Sequence, residues 1–178
     1  MGTLALDTCV ISAFSSAGHF GVLGRILARH RCVVVEEVRA ELRAGAASGL
    51  SCLNEALEAP WLEPVRLRSI AELRRFAFFI ERLGTGGRDI GEAATMAWAQ
   101  SNGGAVVTDD QVAFTLCQKE GIVCIRTLRL LATGVSENIV SVHQAGSILE
   151  EMVAQGARLR FKTATEFVDW YLVSGRVL

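Results

Sequence analysis

The chain has 178 residues, 51% hydrophobic and 21% charged, with a net charge of −1. That is the size and balance of one folded domain with a sizeable core, not of a disordered or strongly basic chain. No apolar run reaches the roughly 18–20 residues that a bilayer requires.

The N-terminus lacks a basic region, and Asp7 interrupts its short apolar start. Neither a membrane span nor a secretory signal is therefore expected, and a cytoplasmic location is. The five cysteines, Cys9, Cys32, Cys52, Cys117 and Cys124, form no CxxC pair, and His19, His30 and His143 lie far apart. That pattern argues against a soft-metal site and for buried thiols in a reducing compartment. Two basic clusters, Arg25-Arg29-His30-Arg31 and Arg158-Arg160-Lys162, are each expected to be solvated faces rather than RNA contacts.

In chain order, Thr3–Leu6 reads as a short buried strand that turns at Asp7-Thr8. Val10 to Arg29 reads as helix, interrupted around Ser15–Gly18. The β-branched run Cys32–Val35 predicts a second strand, and Val38 and Leu42, four apart, predict a helix over Glu36–Ala44. Leu50–Leu57 continues helical. Pro60 and Pro64 bracket a loop with at most a short strand through Leu62–Leu67.

Ile70–Leu83 predicts an amphipathic helix with Leu73, Phe76, Ala77, Ile80 and Leu83 on one side and Phe78 off that stripe. Gly84–Gly87 breaks it. Ile90–Gln100 is helical, with a stop at Asn102-Gly103-Gly104. Ala105–Thr108 is a short strand leading into Asp109-Asp110. Val112–Lys119 is helical, and Ile122–Ile125 is a further strand. Thr127–Ala132, Val140–Val153 and Thr165–Val173 are the last helices. Short apolar strands alternating with helices predict an α/β fold with a mainly parallel sheet.

Ligands of parallel α/β sheets gather at the carboxyl ends of the strands. Asp7 follows the first strand and Asp109-Asp110 follow the Ala105–Thr108 strand, so these acids meet if the two strands are neighbours. Each also reads as a helix N-cap. Glu41 reads as an exposed helical acid. Asp89 and Glu92 have the spacing of a capping box.

In this order the motifs Leu4-Ala5-Leu6-Asp7-Thr8-Cys9-Val10-Ile11, Val38-Arg39-Ala40-Glu41-Leu42, Gly91-Glu92-Ala93-Ala94 and Val106-Val107-Thr108-Asp109-Asp110 resemble the PIN-domain family. The following Gly121–Leu131 segment is similar as well. The resemblance implies a three-layer α/β/α domain with a central parallel sheet. It also implies a divalent-metal ribonuclease site, similar to toxins of type II toxin–antitoxin systems. The family's acids fall on Asp7, Glu41, Glu92 and Asp109 or Asp110, with Asp89 as rival for the third and Glu37 for the second.

On this resemblance Asp7, Glu92 and Asp109 bind Mg²⁺ or Mn²⁺, and Glu41 and Asp110 act through water. Thr8 or Thr108 donates to a ligand carboxylate or a phosphate. An RNA substrate, an antitoxin partner and a homodimer are implied too. The chain is expected to be a single domain, with a core over 1–132 and a C-terminal helical extension over 133–178.

Carboxylates suit this chemistry because Mg²⁺ and Mn²⁺ are hard cations that prefer oxygen and keep bound water. Such an ion acidifies its water and relieves the charge that builds on a phosphate. An alternative is a catalytically silent PIN-fold module that binds a protein or nucleic acid. A phosphotransferase using Asp7 would want a DxD pair, and Cys9 holds the second position. Gly84–Gly87 lacks the GxxxxGK[ST] pattern, and no GxSxG elbow is present.

Overall fold

The computed structural model describes residues 2–84 and 89–174. Strands β1 (Thr3–Leu6), β2 (Arg31–Val35), β3 (Leu62–Val65), β4 (Ala105–Val107) and β5 (Cys124–Ile125) form one sheet in the order β3-β2-β1-β4-β5. Every pairing is parallel. Cys32–Val35 of β2, Leu4–Leu6 of β1 and Val106-Val107 of β4 are buried, as strands covered on both faces must be. Pro64 lacks an N–H to give to a ladder, and it sits on edge strand β3, where none is needed.

The helices among the described residues are α1 (Thr8–Ser16), α2 (Phe20–Leu27), α3 (Glu36–Ala47), α4 (Asn54–Glu58), α5 (Ile70–Leu83), α6 (Ile90–Asn102), α7 (Gln111–Lys119), α8 (Thr127–Ser136), α9 (Val142–Ala154) and α10 (Ala164–Ser174). They flank the sheet in a three-layer α/β/α arrangement. The expected helix over Leu50–Leu57 is instead a 3₁₀ turn, Ser51–Leu53, running into the short α4. Of the strand expected over Ile122–Ile125, Cys124-Ile125 pairs as β5.

Helix α5 has the predicted bounds, and Phe76, Ile80 and Leu83 of its predicted face turn inward, but Leu73 and Ala77 do not. Phe79 and Leu83 are buried, whereas Leu73 is 50% exposed and Ala77 is exposed. The inward stripe is Phe76, Phe79, Ile80 and Leu83, with the i, i+3, i+4, i+7 spacing that packs α5 on α6. Phe78 lies at its edge, in a T-shaped contact with Phe79 at 5.2 Å and under the Arg82 guanidinium at 3.8 Å. Gly84 closes the helix in the left-handed conformation at φ 66. The rest of the expected glycine break, 85–88, lies outside the described residues.

Beyond β5, α8 packs on α2, α9 on α8 and α1, and α10 on α9. Leu149, Met152 and Phe167 are fully buried and belong to the same hydrophobic core as the sheet.

Candidate active site

The chain moves outward from β1 through β2 to β3, then returns to start β4 on the other side of β1. The point where the winding reverses lies between β1 and β4, and there the two flanking connections leave in opposite directions and open a crevice. Register places Leu6 beside Val107, and the Asp7 N–H donates to Val107 O at 3.0 Å. The next residue on each strand, Asp7 and Thr108, therefore meet at the carboxyl edge.

Asp7 is fully buried as the N-cap of α1. Its Oδ1 accepts the Thr8 N–H at 2.8 Å. Its Oδ2 accepts the Thr108 hydroxyl at 2.8 Å and the Cys9 thiol at 3.0 Å. Burial, reinforced by the charge of Glu41, still lifts the Asp7 carboxyl to about 6 in spite of these donors. Burial and the Asp7 charge push the Cys9 thiol well above its ordinary range, so it stays an S–H donor. The Asp109 N–H in turn donates to Cys9 Sγ at 3.3 Å, linking the two strand ends.

Glu41 reaches in from α3. The Thr8 hydroxyl donates to its Oε2, and the Gly91 N–H donates to its Oε1 at 3.0 Å. Glu92 stands in the first turn of α6, half-buried. Burial first, then the charges of Asp7, Glu41 and Asp89, raises its carboxyl to about 8. The anticipated Asp89–Glu92 capping box does not form, since Asp89 gives α6 no side-chain cap.

Asp109 and Asp110 diverge. Asp110 caps α7, its Oδ1 accepting the Ala113 N–H at 2.8 Å. Asp109 Oδ1 accepts the Thr127 N–H at 3.1 Å and lies 3.9 Å from Arg126 Nε. Its Oδ2 is buried with no hydrogen-bond partner among the described residues. Burial raises the Asp109 carboxyl, with Thr127 and Arg126 offsetting part of the shift.

The structure thus brings Asp7, Glu41 and Glu92 within one another's electrostatic reach, and ties Asp7 to Asp109 through Cys9. Thr8 and Thr108 both act as donors to these acids. Asp110 lines the same cleft, but its carboxylate is engaged as the cap of α7. Glu37, the rival to Glu41, keeps a buried oxygen without a partner among the described residues.

Among the described residues, no three His, Cys, Asp or Glu side chains converge closely enough to form a ready-made metal cage. That geometry does not suit Zn²⁺, which takes four close protein ligands in structural sites. It does suit Mg²⁺ or Mn²⁺ held by one or two carboxylates with waters completing the shell. The unpartnered Asp109 oxygen and the mutually repelling Asp7, Glu41 and Glu92 are donors of the right kind for such an ion. None of Asp7, Glu41 and Glu92 is in an ion pair among the described residues.

Three structuring residues carry no role in the sequence reading. Cys9 joins Asp7 to the β4 end, Arg126 holds Asp109, and Gly91 makes room for Glu41. A Cβ on Gly91 would lie 2.6 Å from Glu41 Oε1. The quoted motifs contain Cys9 and Gly91, and Arg126 lies in the similar Gly121–Leu131 segment. Their types gave no chemical signal of their own.

Acids gathered at the switch point of an all-parallel three-layer sheet define an α/β protein with an acidic cleft. A family model described as a PIN domain matches residues 3–170, and the chain belongs to the PIN-domain family. Its fold is accordingly of nuclease type. Comparison with curated proteins and with solved structures gave no match. No helix among the described residues is long and apolar enough to cross a membrane.

Proposed function

We propose that the protein is a divalent-metal-dependent endoribonuclease. The observation that carries this reading is that Asp7, Glu41 and Glu92 repel one another at the switch point, with no cationic side chain paired to them among the described residues. Such an arrangement costs stability unless a cation is bound in use, and family membership supplies the reaction class.

Glu92 and Asp109 line the cleft and would hold Mg²⁺ or Mn²⁺ together with Asp7, which is fully buried and does not itself line it. Because Asp7 has no exposed surface, neighbouring side chains must part for an ion to touch it. Glu41, braced by Thr8 and Gly91, and Asp110 would act through water. The ion supplies an acidified water and charge relief at the phosphate. Thr108 and Cys9 hold the Asp7 carboxylate, and Arg126 holds Asp109 in orientation.

A silent PIN-fold module is the second reading. Two observations favour it, the complete burial of Asp7 and the absence of a ready-made three-acid cage among the described residues.

The test is cleavage of a labelled single-stranded RNA with Mn²⁺ or Mg²⁺, beside EDTA and an Asp7→Asn control. Asparagine keeps the fold: its carbonyl faces the Thr8 N–H, and its amide donates to the rotatable Thr108 hydroxyl. Cutting that EDTA and Asp7→Asn both abolish supports the nuclease. Cutting that survives either control refutes the site.

A further inference from the structure

The cleft beside the acids has a volume of about 880 Å³, and its lining joins two groups of opposite charge. Glu92, Asp109 and Asp110 come from the starts of α6 and α7. Arg126, Arg158 and Arg160 come from the β5–α8 turn and from the connection between α9 and α10. The basic cluster expected to be a solvated face therefore divides, with Arg158 and Arg160 facing the cleft. The other cluster stays on the surface, Arg29 lying 3.8 Å from Glu137 and Arg31 paired with Glu63 at 2.8 Å.

The segment Ala157–Arg160 is held in place from both ends. Gly156, at φ 96, turns the chain out of α9. Leu159 is 6% exposed, between two exposed arginines, so Arg158 and Arg160 share the side opposite this apolar anchor. The Lys162 ammonium donates to Leu159 O at 2.7 Å. Glu166 Oε2 accepts the N–H groups of Lys162 at 2.7 Å and Thr163 at 3.0 Å, fixing the segment to the first turn of α10.

These arginines have no carboxylate partner among the described residues. Arg160 lies over the Phe161 ring at 5.3 Å, and Arg158 makes no ion pair. Arg126, by contrast, is engaged by Asp109 and Gln111. Free guanidinium groups beside a patch of acids would bind an external anion, and arginine forks match phosphate oxygens bidentately.

We propose that Ala157–Arg160 is a backbone rest for single-stranded nucleic acid, with Arg158 and Arg160 binding phosphates next to the one presented to the acids. The identity of the ligand rests on the nuclease reading. For a chain of net charge −1, a local cationic rest is what lets a polyanion settle beside carboxylates.

Fluorescence anisotropy of a labelled single-stranded RNA, without divalent metal so that nothing is cut, tests this across about 50–200 mM salt. The proteins are wild type, Arg158→Ala/Arg160→Ala, and a charge-matched Arg29→Ala/Arg74→Ala control away from the cleft. The cleft variant should bind about tenfold more weakly, for every RNA sequence alike. Its log–log salt slope should flatten by roughly 1.4, about 0.7 for each phosphate that the arginines no longer neutralise. The control should match wild type, and all three should melt alike because the altered side chains are exposed.

Unchanged affinity and slope in the cleft variant would overturn the proposal, as would an equal loss in the control or no RNA binding by wild type. Polyglutamate displacing the RNA as well as unlabelled RNA does would also overturn it, in favour of an acidic protein partner. RNA that is bound through these arginines but left uncut in Mn²⁺ would sink the nuclease reading and leave the backbone rest standing.

Discussion

Gly91 and Glu41 are in contact at the backbone: the Gly91 N–H donates to Glu41 Oε1 at 3.0 Å, and a Cβ at Gly91 would lie 2.6 Å from that oxygen. Glycine in the middle of a helix costs roughly 0.5–1 kcal/mol against alanine, and at most that in the first turn, where Gly91 stands. Gly91→Ala should therefore leave the protein as stable as wild type or slightly more so, because the obstructed atom is the movable end of a side chain. It should displace Glu41 and lower RNA cleavage at least tenfold. Thermal melting beside a cleavage assay separates the two effects, and full activity in the variant would show that the Glu41 position is not needed.

The raised Glu92 carboxyl makes a prediction about stability against pH. Its folded value is about 8 against an ordinary 4.5. Between those values the folded protein keeps a proton that the unfolded chain has lost, so stability falls as pH rises and the penalty is complete above about 8. In EDTA, the melting temperature of wild type should drop between about pH 5 and pH 8. Glu92→Gln should flatten that drop and melt higher than wild type at the alkaline end. Equal slopes for the two proteins would mean that the Glu92 carboxyl is not raised in the folded protein.

The start of α5 behaves in the opposite sense. Ser69 and Glu72 form a capping box, and Glu72 also accepts from the Arg68 N–H at 2.9 Å and the Asn102 amide at 3.0 Å. These donors, led by the Ser69 backbone N–H, hold Glu72 down at about 2. Its contribution is present above the ordinary carboxylate value of 4.5 and is lost as pH falls toward 2. Glu72→Gln should make the acid limb of the stability curve shallower. Ser69→Ala should cost about 1 kcal/mol at neutral pH in denaturant unfolding.

The elements were legible because their signals are local. A short apolar run marked β1, a β-branched one marked β2, and Gly103 marked the end of α6. The strand-end acids were legible as a set, because parallel α/β topology carries such residues to one edge. What each acid does there was not. Asp110 caps a helix while its neighbour Asp109 turns to Thr127, and one residue of separation in sequence does not reveal that divergence. Periodicity places Phe76, Ile80 and Leu83 on the inward face of α5, but Leu73 and Ala77 fit the period equally well, and only packing against α6 selects Phe79 instead. The cleft role of Arg158 and Arg160 depends on the buried Leu159 between them and on where α9 ends, both tertiary facts.

The most direct measurement is a calorimetric titration of Mn²⁺ into the protein at neutral pH, with Glu92→Gln and Asp7→Asn beside wild type. Wild type should bind with release of protons, on the order of one, because a carboxyl near 8 must ionise to act as a ligand. Both variants should bind at least tenfold more weakly and release fewer protons. Wild type that takes up no Mn²⁺, or variants that bind as tightly as wild type, would contradict the assignment of these acids to a metal-dependent nuclease site.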